Sequence, residues 1–483
     1  MLVHIMTQTL REHADRLAVA DRHTRLTYRE LDQVSTEQAQ ALRAVLPDGD
    51  RHRIAIQAGN SVAYVTAYLA VLKSGGVPFL IDRLSGPRET AAIQQDCGLD
   101  LLIHEHDIPV SAGAVPSGVL GPLRLSRSST GDRPQLHDAT EVCRFTSGST
   151  GRPSCIEFSG RAVERAAVNW AHGSGLSGDD TIMCFASLSN GLAFNTSLLS
   201  AFALGARLHL AGGLPTAGTV TRLLALSRAT RLVGFPALYE SLVSRPLDPQ
   251  PFPHLRTAIS SAAPLRAQTK REFTEATGVP LLNYFGVAEA GPLTCAVDPL
   301  ADPGLGKPLP GVRLRAGTTG QPGPVEVLSE SMGTRYLNAP GVLEGRTGPD
   351  GYYRTGDLGH LVDGSLVLTG RASQVINIGG RKVDAVEVSE ALRGAEGVLD
   401  AVVLEVPDRH GGSALAAVLL ADPGLDLAGP RRHLAASLAP YKTPSLMRVV
   451  SQIPRGSAGK PATAALRRLF DTPKTAETPD AAG

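Results

Sequence analysis

Phe145-Thr-Ser-Gly-Ser-Thr-Gly-Arg-Pro153 is the stretch from which the rest of the chain is read. Six of its nine residues are Gly, Ser or Thr. Glycines let the backbone turn so that several N–H groups point one way, and the hydroxyls add further donors, a combination suited to a polyphosphate. The stretch lacks the Gly-Lys-Ser/Thr ending of a P-loop, which excludes a simple P-loop NTPase. A solvent-exposed Ser/Gly linker has the same composition. Cys143 and Phe145 argue against a linker, because they predict a strand that feeds directly into the loop.

Upstream of the loop, Arg53–Gln57 reads as a strand, Ser61–Leu72 as a helix and Val77–Ile81 as a strand. This βαβ rhythm favours a partly parallel sheet. It returns downstream, with Leu198–Leu204 and Val220–Arg228 helical, and Ala206–Leu210 and Leu232–Phe235 strand-like. Between Glu105 and Thr140 the chain is rich in Gly, Pro and Ser without a clear period, and mostly loop is expected. From Gly311 to about Leu368, short strands separated by turn residues predict a smaller β-rich subdomain. After Gly370-Arg371 comes a compact α+β pattern: strands at Val375–Ile378, Leu399–Val406, Ala414–Leu420 and Met447–Val450, helices at Val386–Leu392 and Pro430–Ser437. The expected class is α/β. A large domain over residues 1–371 has partly parallel sheets, a small mobile α+β domain covers 372–471, and a frayed polar tail covers 472–483.

Composition narrows the function classes. The 483 residues are 42% hydrophobic, which excludes a largely disordered chain. Lys plus Arg number 47 against 46 Asp plus Glu, so there is no charge footprint for nucleic acid or an anionic membrane. No apolar run reaches the roughly 18 residues of a membrane span, and Met1–Arg16 lacks the apolar core of a secretory signal. The five cysteines are an odd, scattered set without a C-x-x-C pair, which points to a reducing cytoplasm.

Three further segments carry chemistry. Asn283-Tyr-Phe-Gly-Val-Ala-Glu-Ala-Gly291 offers an aromatic beside a glycine for a nucleobase, and Glu289 for a hard cation such as Mg²⁺. In Tyr353-Arg-Thr-Gly-Asp-Leu358, with Arg371 beyond it, Asp357 can accept both hydroxyls of a ribose. Pro454-Arg-Gly-Ser-Ala-Gly-Lys-Pro461 holds Lys460 on a short loop. Each also has a plain reading, as a strand end, a hairpin turn or an exposed lysine. Ser457 and Lys460 form an S-x-x-K string, but a β-lactamase-type serine enzyme is disfavoured because no S-D-N or K-T-G follows.

Together these segments resemble the adenylate-forming superfamily: acyl-CoA synthetases, nonribosomal peptide synthetase adenylation domains and luciferases. Leu26-Thr-Tyr-Arg-Glu-Leu31, Leu72-Lys-Ser-Gly-Gly-Val-Pro-Phe-Leu-Ile-Asp82, Gly304-Leu-Gly-Lys-Pro-Leu-Pro-Gly311, Gly323-Pro-Val-Glu-Val327, Tyr336-Leu-Asn338 and Gly370–Val388 match further family elements, in order, along nearly the whole chain. The resemblance implies that Thr146, Ser147, Gly148, Ser149, Thr150 and Gly151 wrap the ATP phosphates. Asn283 and Phe285, with Tyr284, Gly286 and Ala288 in the same motif, would line the nucleotide site, and Ser261, Ala262 and Ala263 would back the adenine. Glu289 would position Mg²⁺, Asp357 and Arg371 would hold the ribose, and Lys460 would reach the carboxylate and α-phosphate. Gln374 would sit at the hinge, and Gly379 and Gly380 near the pantetheine arm of coenzyme A or of a separate carrier protein.

The chain also departs from the family pattern. Ser154 stands where a lysine is customary, Ala288 replaces a threonine, and Gln374 takes the place of the usual hinge Asp or Lys. Ala288 is similar to the version in aryl-acid activators. Ser189–Asn195 contains no acid to pair an α-ammonium, which disfavours an ordinary amino acid. Asn190 falls where aryl-acid activators place an Asn for a ring hydroxyl, although Asn190-Gly191 is equally a turn. The implied substrate is a hydroxy- or amino-benzoate-like acid in a pocket with Asn190, Ser261, Tyr284, Gly286 and Leu293. A short aliphatic acid and a non-catalytic nucleotide binder are the alternatives.

Overall fold

The computed structural model describes residues 2–470 except 50, 111–113, 128–130, 147–152, 213–215, 245–251, 263–264, 299–301, 303, 372–374, 379–380, 408–412, 423, 439–441 and 456–460. The chain divides into two compact units. One comprises residues 1–319, 325–355 and 361–367, and the other residues 320–324, 356–360 and 368–483.

Two sheets of α/β type organise the first unit. One runs Arg335–Tyr336, Ser154–Ser159, Thr140–Thr146, Val77–Ile81, Arg53–Gln57, Leu101–His104, Leu123–Arg127, Val115–Leu120. Its centre is parallel: Arg53–Gln57 pairs with both Val77–Ile81 and Leu101–His104. All five residues of Arg53–Gln57 and of Val77–Ile81 are buried, which is why each reads as an unbroken run rather than an alternation. The helix between them, Val62–Lys73, starts where the Ser61 hydroxyl accepts from the Tyr64 N–H.

The second sheet runs Lys307–Pro308, Gly291–Cys295, Leu281–Val287, Thr257–Ser260, Arg231–Gly234, Thr181–Cys184, Arg207–Leu210, Leu17–Ala20, Arg25–Thr27. Thr181–Cys184, Arg231–Gly234, Thr257–Ser260 and Leu281–Val287 are parallel neighbours. Leu281–Val287 then pairs antiparallel with Gly291–Cys295. The motif at 283–291 therefore lies where parallel pairing gives way to a hairpin. Ser261, Ala262 and Asn190 follow the carboxyl ends of parallel strands, the usual ligand edge of such sheets. A core of Val220, Leu232, Tyr239, Phe273 and Leu281 fills one face.

The stretch from Glu105 to Thr140 differs from the loop expected there. Val115–Leu120 and Leu123–Arg127 form an antiparallel hairpin on the sheet edge. Val115–Leu120 is exposed at most positions and contains Pro116 and a Gly118 with positive φ, so its pairing leaves little apolar alternation to read. The helical run expected at Leu198–Leu204 is longer: a π-helical segment, Phe194–Leu199, precedes an α-helical turn over Ser200–Leu204.

In the second unit, Val398–Pro407 pairs antiparallel with Ser413–Ala421, which pairs parallel with Leu446–Val450. The helices Ala385–Arg393 and Ala428–Ser437 contribute Val388, Leu392 and Leu434 to a core with Ala401, Val403 and Leu419.

Candidate active site

The Ser/Gly loop joins two paired strands. Thr140–Thr146 and Ser154–Ser159 are antiparallel, with Thr146 opposite Ser154. Ser147, Gly148, Ser149, Thr150 and Gly151 lie outside the described residues. The base of this hairpin is held by one side chain: Asn338 Oδ1 accepts from the Cys155 N–H at 2.8 Å, and its Nδ2 donates to the Pro153 carbonyl at 2.9 Å. Glu157, fully buried in the second strand, accepts from Arg335 Nε at 2.6 Å, from the Thr140 hydroxyl at 2.5 Å and from the His137 N–H at 2.8 Å. That compensation is what a buried carboxylate requires.

The same edge segment reaches the acid at 289. Arg335–Tyr336 pairs with the loop's exit strand, setting Tyr336 opposite Ile156. The Tyr336 hydroxyl donates to Glu289 Oε1 at 2.6 Å, and the Gly333 N–H donates to the Glu289 carbonyl at 2.6 Å. Burial and the neighbouring Glu289 charge push the Tyr336 phenol well above its ordinary range. Tyr353 is shifted the same way, by burial and Glu289, against the opposing effect of Arg346. Glu289 thus sits on a hairpin tip, anchored by a phenol and flanked by a second. The Tyr336-Leu-Asn338 match carries two contacts that sequence reading did not assign: one to Glu289 and one to the loop base.

Along Leu281–Val287 the side chains alternate, so Asn283 and Phe285 share one face and Tyr284 and Gly286 the other. Asn283 is paired in register with Ser260, and its Oδ1 is buried without a hydrogen-bond partner. An orphaned amide oxygen suits an exocyclic amine such as that of adenine. The Ser261 hydroxyl donates to the Tyr284 carbonyl at 2.9 Å, and the Tyr284 ring packs on Trp170 at 4.9 Å. Ala262 has φ +72°, a left-handed conformation unusual for a residue with a Cβ and frequent at binding sites. Ala263 lies outside the described residues. Gly286 sits at a bulge where a Cβ would come within 2.6 Å of the Gly291 carbonyl oxygen. Leu293 is fully buried in the returning strand.

Asn190 caps the short helix Gly191–Ala193, its Oδ1 accepting from the Leu192 N–H at 2.9 Å, which leaves its Nδ2 for any substrate contact. Nearby, and missed in the sequence, Arg144 is buried in the strand that enters the Ser/Gly loop. Its Nη2 donates to the Ala288 carbonyl at 3.3 Å, and its guanidinium lies over the Phe158 ring at 4.3 Å. The available signal was a charged residue in the run Val142-Cys-Arg-Phe145, at a position the strand turns inward.

In the second unit the expected ribose pair is brought together: Arg371 Nε donates to Asp357 Oδ1 at 2.6 Å, with Asp357 buried. Val375–Ile378 and Arg381–Asp384 pair antiparallel on either side of Gly379-Gly380. Gly379, Gly380, Gln374 and Lys460 lie outside the described residues.

Within the first unit, the unpartnered Asn283 Oδ1 has the chemistry to accept from a base amine, and Glu289 has that to hold a metal. Among the described residues no group of three or more His, Cys, Asp or Glu is arranged to hold a metal. Mg²⁺ ordinarily takes one or two carboxylates and completes its shell with phosphate oxygens and water. Glu289, held beside the Ser/Gly hairpin by Tyr336, is a single carboxylate of that kind.

Comparison with known proteins identifies the family. The AMP-binding enzyme family matches residues 6–343. The chain is 30% identical over 478 residues to an anthranilate–CoA ligase of Pseudomonas aeruginosa, covering 90% of each. It is 27% identical to a feruloyl-CoA synthase of an Amycolatopsis species, covering 94% of this chain and 96% of that one. Its fold is that of ATP-bound MatB from Rhodopseudomonas palustris, with a TM-score of 0.84 and 22% identity over 97% of this chain and 99% of that one. With its Ser/Gly hairpin, its anchored Glu289 and the family match over most of its length, the chain belongs to the AMP-binding enzyme family, ligases that use ATP and Mg²⁺ to join a carboxylic acid to a thiol through an acyl-adenylate.

Proposed function

We propose that this protein activates an aromatic carboxylic acid as its adenylate, releasing pyrophosphate, and passes the acyl group to coenzyme A. Anchoring of Glu289 by Tyr336 beside the Ser/Gly hairpin is the observation that carries the reading. Relatives acting on anthranilate, ferulate and 3-hydroxybenzoate support an aryl acid, as does the absence of an acid across Ser189–Asn195 to pair an α-ammonium.

In this reading the chain orients and neutralises. A carboxylate must approach a tetra-anionic nucleotide, and the repulsion has to be cancelled at the reacting phosphorus. Mg²⁺ bound at Glu289 would supply part of that positive charge. The hairpin N–H groups would hold the phosphates, Asn283 the adenine, and Asp357 with Arg371 the ribose. Lys460 would serve the adenylation step, and Gly379-Gly380 the thiol step, within the small domain over residues 372–471. A separate carrier protein is the other acceptor of matching chemistry, and the setting proposed is the cytoplasm.

The test is ATP–pyrophosphate exchange with benzoates, short aliphatic acids and amino acids, followed by thioester analysis with coenzyme A. Exchange led by a benzoate, with an aryl-CoA product, is expected. Exchange with α-amino acids alone would contradict it, and thioester formation only on an added carrier protein would replace the acceptor.

A further inference from the structure

Arg144 is a buried cation, 5% exposed, for which no carboxylate lies within ion-pair distance among the described residues. The two other buried guanidinium groups among the described residues have their donors taken up: Arg231 pairs with Asp180 at 3.0 Å, and Arg53 donates to the Cys97 and Pro134 carbonyls. Among the described residues Arg144 has the long contact to the Ala288 carbonyl, the faces of Phe158 and Phe194 and the more distant charge of Glu289, and its Nε is buried without a partner. Burial lowers its pKa to about 10, which leaves it fully protonated at neutral pH.

A second unmatched donor is close by. Asn195, 2% exposed and in the π-helical segment, has Nδ2 buried without a partner. Both donors border one crevice, lined also by Phe158, Phe194 and Gly291. Two glycines make room for them. A Cβ on Gly191 would fall 2.6 Å from Arg144 Nη1, and one on Gly291 would fall 3.1 Å from Asn195 Nδ2. The crevice is narrower than a water molecule, so a ligand group would need the adjoining π-helical segment to shift. Such segments are a common point of adjustment at functional sites.

A charge left uncompensated in a protein interior is costly unless something supplies its counter-ion. We infer that Arg144, assisted by Asn195, receives an anionic substituent of the acid, so that the substrate carries a second carboxylate besides the one adenylated. The inference rests on the reading of this site as an acid-activating one and names the substrate class more narrowly. Arg144 is a specificity residue: its guanidinium donates to the second carboxylate and takes no part in bond making. The contact to Ala288, the residue before Glu289, ties Arg144 to the hairpin that carries Glu289. A compact dicarboxylic acid is therefore selected over a long one.

The experiment compares matched acids, isophthalate against benzoate and succinate against butanoate, by kcat/KM in ATP–pyrophosphate exchange. The wild type is expected to prefer the dicarboxylate of at least one pair by on the order of 10²-fold. Arg144→Met should collapse that preference, and Arg144→Lys should keep part of it. Nucleotide binding and thermal melting of each variant establish that it is folded, and the wild-type preference tests the inference without any variant. Exchange led by the monocarboxylates in both pairs overturns the inference and leaves the acid-activating reading intact. An equal loss for both members of a pair in Arg144→Met also overturns it, by putting the guanidinium at the reacting carboxylate. Absence of exchange with all four acids, when other benzoates support it, overturns the inference alone; absence across the whole panel overturns both.

Discussion

Tyr336→Phe removes one hydroxyl and leaves the ring in place, so it isolates the hydrogen bond to Glu289. The O···O distance is 2.6 Å, within the short range of hydrogen bonds that involve a charge. Tyr336 is 5% exposed, so water does not readily replace the lost donor. A hydrogen bond to a charged group contributes about 1.5–3 kcal/mol, and removing a residue that orients a metal ligand lowers metal affinity roughly 10- to 100-fold. Those two figures agree, since about 1.4 kcal/mol corresponds to a factor of ten. Glu289 is only partly buried, which favours the lower half of the range. The expected result is a roughly tenfold rise in the Mg²⁺ concentration for half-maximal ATP–pyrophosphate exchange, with a smaller change in the rate at saturating Mg²⁺. The assay is a Mg²⁺ titration at saturating ATP and acid, with Glu289→Gln alongside. A Tyr336→Phe titration superimposed on the wild-type curve, with Glu289→Gln strongly impaired, would refute the positioning role.

Other perturbations probe other parts of the molecule. Asn338→Leu removes both hydrogen bonds at the base of the Ser/Gly hairpin; if that hairpin holds the ATP phosphates as proposed, KM for ATP rises several-fold while the KM for the acid stays near wild type, as initial-rate kinetics would show. Glu157→Ala removes the partner of the half-buried Arg335 and of the buried Thr140 hydroxyl, and should cost about 1–3 kcal/mol in urea denaturation. His209 is held down to about 4 by burial and by Arg25 and Arg207. The unfolded chain takes up its proton near pH 6.5 and the folded chain only near 4, so stability is lost as pH falls through that window. His209→Gln should flatten the loss by at most about 3 kcal/mol, read from urea midpoints at pH 7 and pH 4.5.

The sequence showed the scaffold most clearly where burial is complete. Arg53–Gln57 and Val77–Ile81 are buried on both faces, so their composition announces them without any alternation. The edge hairpin at 115–127 escaped notice for the opposite reason: an exposed strand carrying Pro116 and Gly118 resembles a loop to any apolar count. Candidate site residues could be named where one short motif holds them, as at Asn283–Gly291. The contact of Tyr336 with Glu289 was not, because it depends on a two-residue edge strand that brings together positions 47 apart. Arg144 was overlooked because a charged residue in a core strand contradicts the pattern by which core strands are found.

Isotope transfer tests the central claim most directly. The acid that best supports exchange is labelled with ¹⁸O in both carboxylate oxygens, turned over with ATP, Mg²⁺ and coenzyme A, and the nucleotide product is analysed by mass spectrometry. Attack of the carboxylate on the α-phosphorus leaves one ¹⁸O in AMP, and pyrophosphate without label; that is the predicted result. Label in inorganic phosphate with ADP as the nucleotide product, or unlabelled AMP, would contradict activation through an acyl-adenylate.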